Sequence, residues 1–441
     1  MSSKISSSKH RKILKMISFS KHKKVTKLSS SKHRKMQMPS YNFPEEILAE
    51  IIKRLPVKYV LRCTSVQKSW YRLIKTPVFI ALHTDFHKML TDQPKYLFFL
   101  NMRDHLLTVR FDDVKCQEYG TLKYPIDLPN HAWYALANGL ICVSLMFDNG
   151  DSRYYFNQCR NVLSHGPVPV SSLFNGTRSC YDSKIHLWNP LVQKYKTLPD
   201  SPCMSLTSRD NQWKGLAFGF LPEINDYVVV HIVKPCGSEA ENHSVFISVY
   251  SLNTNSWKKI RQDNVDINVI KGNEAVFVNG AAFWVGVRYL EHRDPIVMCF
   301  DTKTDILRLI RFPDWVFGPV MRPFGQSIAC FCESDERNDF IMWVLKDDDP
   351  MNGFYWENTM SGTLSENVRG KVLGVRNNGE PILAKLSNLI SYNLDKREEY
   401  DFADSCDSRT PFSYYEEGCR PPLVITPFSE TLLWLDIDQN E

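Results

Sequence analysis

Five segments of this chain repeat one texture, and that repeat constrains the fold more than any other feature. HLWNPLVQKYKTLP, SVYSLNTNSWKKI, MCFDTKTDILRLIRFP, IMWVLKDD and LISYNLDKREEY each set an aromatic inside a short apolar run and follow it with polar residues, often with a second short run behind. The aromatics Trp188, Tyr250, Phe300, Trp343 and Tyr392 are spaced by 62, 50, 43 and 49 residues. A propeller blade of four antiparallel strands consumes about 40–50 residues. The spacing therefore predicts a β-propeller, ahead of the large β-sandwich that degenerate strand repeats also fit.

Turn chemistry agrees with a strand-rich body. Six of the 19 glycines follow asparagine, at 138–139, 149–150, 175–176, 279–280, 352–353 and 378–379. Asn-Gly suits the two-residue hairpin turn, in which both central residues take positive φ. In VFVNGAAFWVGV, Val276 and Val278 lead into Asn279-Gly280, and Phe283 and Val285 return from it. This pattern predicts a hairpin, and the alternating texture extends from residue 95 to the C-terminus.

The first 84 residues read differently. Residues 1–38 contain twelve Lys or Arg and no Asp or Glu, and SSSKHRK occurs at both 6–12 and 29–35. Such a segment has too little apolar surface to offset the ordering entropy, so it is expected to be a disordered tail. It reads equally as a nuclear import signal and as a solvated extension. The net charge of +5 belongs to this tail, because the remainder holds 42 basic against 49 acidic residues. The overall charge is thus no argument that the folded part binds nucleic acid.

Between tail and body, residues 39–84 read as three short helices. Glu45 and Glu46 mark a first turn after Pro44, and Ile47, Leu48, Ile51, Ile52 and Leu55 recur at three- and four-residue spacing up to Pro56. Val57, Val60 and Leu61 form a second stripe; Val66, Trp70, Leu73 and Ile74 form a third, which Pro77 is expected to stop. A unit of this size makes a poor independent core. Its surplus apolar surface is suited to an interface with another protein or to packing on the body.

The run FPEEILAEIIKRLPVKYVLRCTSVQKSWYRLIKTPVFIALH resembles the F-box in the form common in plants. Phe43, Pro44, Glu46 and Ile47 match its first element, with Phe in place of Leu; Leu55, Pro56, Val57 and Lys58 match the second. Val66, Lys68 and Trp70 match the third, and Pro77 and Phe79 close it; Tyr59 and Cys63 depart from the usual pattern. Trp188-Asn189-Pro190, GLAFGFLPEINDYVVV, Tyr250-Ser251-Leu252 and Asn279-Gly280 before Phe283-Trp284 are similar to the F-box-associated, kelch-like domain of the same proteins.

The resemblance implies a helical F-box (39–84) that docks on a Skp-family adaptor of a cullin-based ubiquitin ligase, and a β-rich domain (95–441) that captures a target protein. It implies Pro44, Ile47, Leu48, Ile51, Leu55, Pro56, Val66 and Trp70 as the adaptor interface or its immediate support. The protein would be a non-catalytic substrate receptor. The alternatives are an F-box scaffold outside any ligase and a propeller enzyme with a helical prefix.

No catalytic residue, metal site or cofactor is assigned. The twelve cysteines form no Cys-x-x-Cys pair, and Cys330 and Cys332 sit as neighbours on one face of a strand would. His83 and His87 have helix-ligand spacing but lack a third ligand, and read as exposed or capping residues. No signal peptide or run of eighteen apolar residues is present, which points to the nucleus or cytoplasm. Trp133, Trp213, Trp315 and Trp356 read either as target anchors or as buried blade residues.

Overall fold

The computed structural model describes residues 44–90, 95–101, 106–113, 115–122, 133–144, 184–204, 212–235, 244–267, 269–289, 293–313, 320–333, 339–347, 353–363, 368–385, 388–402 and 423–435. Leu48–Glu441 is one compact unit; of the unit before it, Met1–Ile47, only Pro44–Ile47 are described. The basic tail, the Asn-Gly pairs at 149–150 and 175–176, His131 and Trp315 lie outside the described residues.

Twenty-four strands among the described residues form six blades of four. Blades two to six follow one another along the chain (133–197, 212–262, 269–311, 320–363 and 368–402), each an antiparallel meander from inner to outer edge. The first blade is composite. Tyr96–Asn101, Leu106–Phe111 and Glu118–Leu122 supply its outer three strands, and Leu423–Phe428, from the other end of the chain, supplies the innermost. That strand pairs antiparallel with its neighbour from Tyr96↔Phe428 to Asn101↔Leu423. The six innermost strands neighbour one another in cyclic order, so the sheets close into a ring rather than stacking as a sandwich.

Two features hold the closing seam. Gly374 of blade six bridges Ile425 of blade one, and a Cβ there would stand 1.9 Å from the Ile425 carbonyl oxygen, so only glycine fits. Beside it, the Asp112 carboxylate of blade one accepts from Arg376 Nε at 2.7 Å, from the Asn377 backbone N–H at 2.9 Å and from Asn377 Nδ2 at 2.8 Å. Arg376 also donates to Glu380 at 3.1 Å.

The sequence repeat acquires a physical meaning. All five aromatics lie on the third strand of successive blades, and Trp188, Tyr250, Phe300 and Tyr392 are the penultimate residues of theirs. Each of these four is buried, and a four-residue turn follows the strand's last residue. The fourth turn residue, Gln193, Asn255, Asp305 or Arg397, has φ between 50° and 60°. The strand-final polar residue holds the turn: Asn189 Oδ1 accepts from Leu191 and Val192 N–H, Asp301 Oδ1 from Lys303 N–H, and Asn393 Oδ1 from Lys396 N–H. The Asn-Gly pairs at 138–139 and 279–280 make the expected hairpins, with φ of 43° and 85° in the first and 50° and 79° in the second.

The helical region contains four helices rather than three: α1 (Glu45–Ile52), α2 (Val57–Cys63), α3 (Lys68–Lys75) and α4 (Pro77–Lys88). Pro77 ends nothing. It occupies the first position of α4, where no N–H is required, and the Thr76 hydroxyl accepts from the Phe79 N–H at 3.2 Å. Leu48, Ile52, Val60, Ile74 and Phe79 build a core across the four helices, with Cys63 inside it. One further member, Leu432, comes from the segment after the last strand.

Candidate docking surface on the helical unit

Of the eight residues implied by the resemblance, Ile47, Leu48, Ile51 and Trp70 lie on helices, while Pro44, Leu55, Pro56 and Val66 lie before or between them, Val66 in the turn ahead of α3 rather than inside it. Ile47, Ile51 and Val66 are 49%, 44% and 53% exposed, whereas Leu48 and Leu55 retain 7% and 8%. Pro44 is exposed; Pro56 and Trp70 are half-buried. An α-helix returns to the same side every three to four residues, which aligns Ile47 with Ile51 on one face and Leu48 with Ile52 on another. Ile47, Ile51 and Val66 are thus open to solvent, while Leu48 and Leu55 lie in the helical core.

Sequence reasoning missed four further exposed residues, Tyr71, Val78, Met89 and Leu90. The signal for Val78 was present: Thr76-Pro77 is a helix start, and the second position of that helix points away from the core. Of the eleven large hydrophobic residues exposed among the described ones, seven lie between Ile47 and Leu90, and only Ile224, Ile306, Tyr355 and Tyr400 lie on the propeller. Exposed apolar side chains are thus far denser along this short segment than along the propeller.

Buried polar groups fix the frame beneath that surface. His83 Nε2 donates to the Leu55 carbonyl at 2.9 Å, and His87 Nε2 to the Lys53 carbonyl at 3.0 Å. The rings lie tilted at 36° with centroids 4.2 Å apart and cap the carbonyls that follow α1. Burial lowers the His83 pKa to about 4 and also lowers that of His87. At neutral pH both rings are uncharged donors.

Burial raises the thiol pKa of Cys63, Cys142 and Cys203, and pushes that of Cys299 up to about 12, the reverse of an activated cysteine. Cys330 and Cys332 lie with their Sγ atoms 3.7 Å apart inside the core. Among the described residues no group of three His, Cys, Asp or Glu is placed to hold a metal, and no helix is long and apolar enough to cross a membrane. Trp133 is buried between blades; Trp356 stacks on Phe312 and donates to the Arg311 carbonyl at 2.8 Å, tying blade five to blade four.

Comparison with known proteins follows the same division. A family model for the F-box domain matches residues 41–81, and one for the F-box associated beta propeller domain matches residues 95–397. The chain is 23% identical over 314 residues to F-box protein At1g47340 of Arabidopsis thaliana, covering 70% of this chain and 62% of that protein. It is 22% identical over 336 residues to F-box protein At1g52495 of the same plant, covering 74% of this chain and 70% of the other. The chain thus spans less than two thirds of the first relative's length. Among solved structures, TolB from Acinetobacter baumannii aligns with a TM-score of 0.39 and 12% identity over 80% of this chain and 71% of TolB. With an F-box ahead of a six-bladed ring that matches the associated domain over most of its length, the chain belongs to the plant F-box proteins that carry a C-terminal F-box-associated β-propeller domain.

Proposed function

We propose that this protein is the substrate-recognition subunit of a Skp-cullin-F-box ubiquitin ligase. In this reading the helical unit (39–84) docks on a Skp-family adaptor through Ile47, Ile51 and Val66, with Pro44, Pro56 and Trp70 at the margin and Leu48 and Leu55 as support. The β-rich domain (95–441) holds a target protein, acting in the nucleus or cytoplasm without a cofactor. Its contribution is proximity: a target held beside the charged ubiquitin-conjugating enzyme reacts as if intramolecular. The observation that carries this reading is the set of exposed apolar side chains within the F-box segment, Ile47, Ile51, Val66, Tyr71 and Val78.

The test is co-purification of the full-length protein with a Skp-family adaptor, against an Ile51→Asp/Val66→Asp double variant. Both positions are exposed, so the variant keeps its fold. Binding by the native chain and none by the variant is the expected result. A native chain that fails to bind removes the adaptor role. Ubiquitylation that requires both this protein and the cullin separates a ligase receptor from a scaffold acting elsewhere.

A further inference from the structure

The segment after the last strand, residues 429–435, belongs to no regular element, yet its side chains alternate between two partners. Toward the helices, Glu430 Oε2 accepts the Val57 N–H at 3.3 Å, Leu432 is fully buried in the helical core, and Trp434 stands edge-on to Tyr71 with ring centroids 6.3 Å apart. Toward the propeller, Leu433 and Leu435 pack with Trp133, Leu187 and Tyr250 in the core of blades two and three. The backbone is held as well: Asn189 Nδ2 donates to the Thr431 carbonyl at 3.1 Å and to the Leu433 carbonyl at 2.8 Å.

Glu430 joins both sides through one carboxylate, since its Oε1 accepts the Tyr119 hydroxyl of blade one at 2.8 Å. The approach to blade two is tight: a Cβ at Gly139 would stand 2.5 Å from the Ser429 carbonyl oxygen and 2.8 Å from Thr431 Cγ2. The covalent link between the last helix and blade one is a single strand of chain, residues 89–95, and one such tether leaves a domain free to swivel. This strap, from the C-terminal end of the described chain, adds non-covalent connections to the direct ones made by Leu191 of blade two against the helical core and by Lys58 over the Tyr119 ring.

We propose that residues 429–435 are positioning residues, a two-faced strap that locks the F-box helices in one orientation on the propeller and so fixes the separation between docking surface and captured target. Its meaning for ubiquitin transfer rests on the receptor reading above; the lock itself does not. A fixed geometry raises effective concentration at some lysines and denies it to others, whereas a slack joint averages over many.

The experiment uses the full-length protein, with donor and acceptor dyes placed through unnatural amino acids at Glu50 of α1 and at Lys303 of blade four, both exposed. Single-molecule energy transfer then reads the spread of their separation. The native chain is expected to give one narrow population, and Leu432→Asp to widen it about twofold or more. Because Leu432→Asp also threatens the helical core, Asn189→Asp is the second variant. It keeps the Oδ1 acceptor that caps the following turn and loses only the donor to the strap carbonyls.

Asn189→Asp is expected to widen the distribution while its adaptor affinity stays within about twofold, since it lies away from the docking surface. In a reconstituted cullin-RING ligase the lysines modified on the propeller then spread to additional positions. Distributions as narrow as native in both variants overturn the lock, and a widened distribution with an unchanged lysine pattern overturns the positioning role. If the native protein never binds the adaptor, the receptor reading falls, and the energy-transfer result still decides whether the strap is a lock.

Discussion

The helical unit and the propeller solve the same problem, hiding apolar surface, to different extents. Blades bury both faces of their inner strands against neighbours, and ring closure gives the first blade the same cover as the rest. The propeller, built from most of the chain, exposes four large hydrophobic residues among those described; the helical segment exposes seven. Four short helices enclose little volume, so a side chain on one side of α1 enters the core while its neighbour one residue on faces water. The contrast teaches that the ring covers its apolar side chains more completely than the helices do.

The largest effect is expected where the ring closes. Asp112→Ala removes one partner of a buried ion pair, with the Asp112 side chain 4% and that of Arg376 15% exposed, and should cost about 4 kcal/mol in urea unfolding. A loss below about 1 kcal/mol would mean the seam depends on strand pairing alone.

Adjacent isoleucines sharpen the comparison within one helix. Ile52 is 1% exposed and Ile51 44%, so Ile52→Ala should destabilise the helices by about 3 kcal/mol while Ile51→Ala changes stability by less than about 0.5 kcal/mol. Adaptor binding should reverse the order of sensitivity per unit of stability lost. Equal destabilisation by the two changes would show that Ile51 is covered by the protein itself.

Buried neutral histidines should make both regions sensitive to acid, His231 of blade three, lowered to about 3 by burial and then by Lys214, as well as His83 of the helices. The His83 pKa falls from 6.5 unfolded to about 4 folded, first through burial and then through the neighbouring His87, against the opposing pull of the Leu55 carbonyl. The unfolded chain binds the proton more tightly, so the contribution is complete above pH 6.5 and is lost as pH drops toward 4. The span corresponds to about 3 kcal/mol. His83→Gln, which retains a donor for the Leu55 carbonyl, should flatten that dependence in parallel urea titrations at pH 7.5 and 4.5.

The smallest expected effect is Trp356→Phe. It removes the 2.8 Å bond to the Arg311 carbonyl but keeps the ring on Phe312, and should cost about 1 kcal/mol. An unchanged unfolding midpoint would assign the link between blades four and five to stacking alone.

Much of the propeller was legible because its signals are local. A penultimate aromatic, a strand-final Asn, Asp or Ser and a four-residue turn lie within seven residues of chain, and they recur in blades two, three, four and six. Blade one was hidden for the same reason: its third strand ends Val109-Arg110-Phe111 without the marker, and its innermost strand comes from Leu423–Phe428. At the site, all eight named residues were visible as apolar or aromatic positions, but helical period alone leaves both sides of Glu45–Ile52 apolar.

By itself the sequence determined the two-part organisation, the four-strand period, the hairpins at Asn138-Gly139 and Asn279-Gly280 and the F-box match, because each depends on residues close in the chain. Only the tertiary structure decided that the ring has six blades, that Pro77 begins a helix, and that Ile51 faces outward while Leu48 faces in. It also decided that Leu432 completes the helical core and that Glu430 joins Val57 to Tyr119. These outcomes turn on which distant segments meet, and packing between segments far apart in sequence leaves no periodic trace in either one.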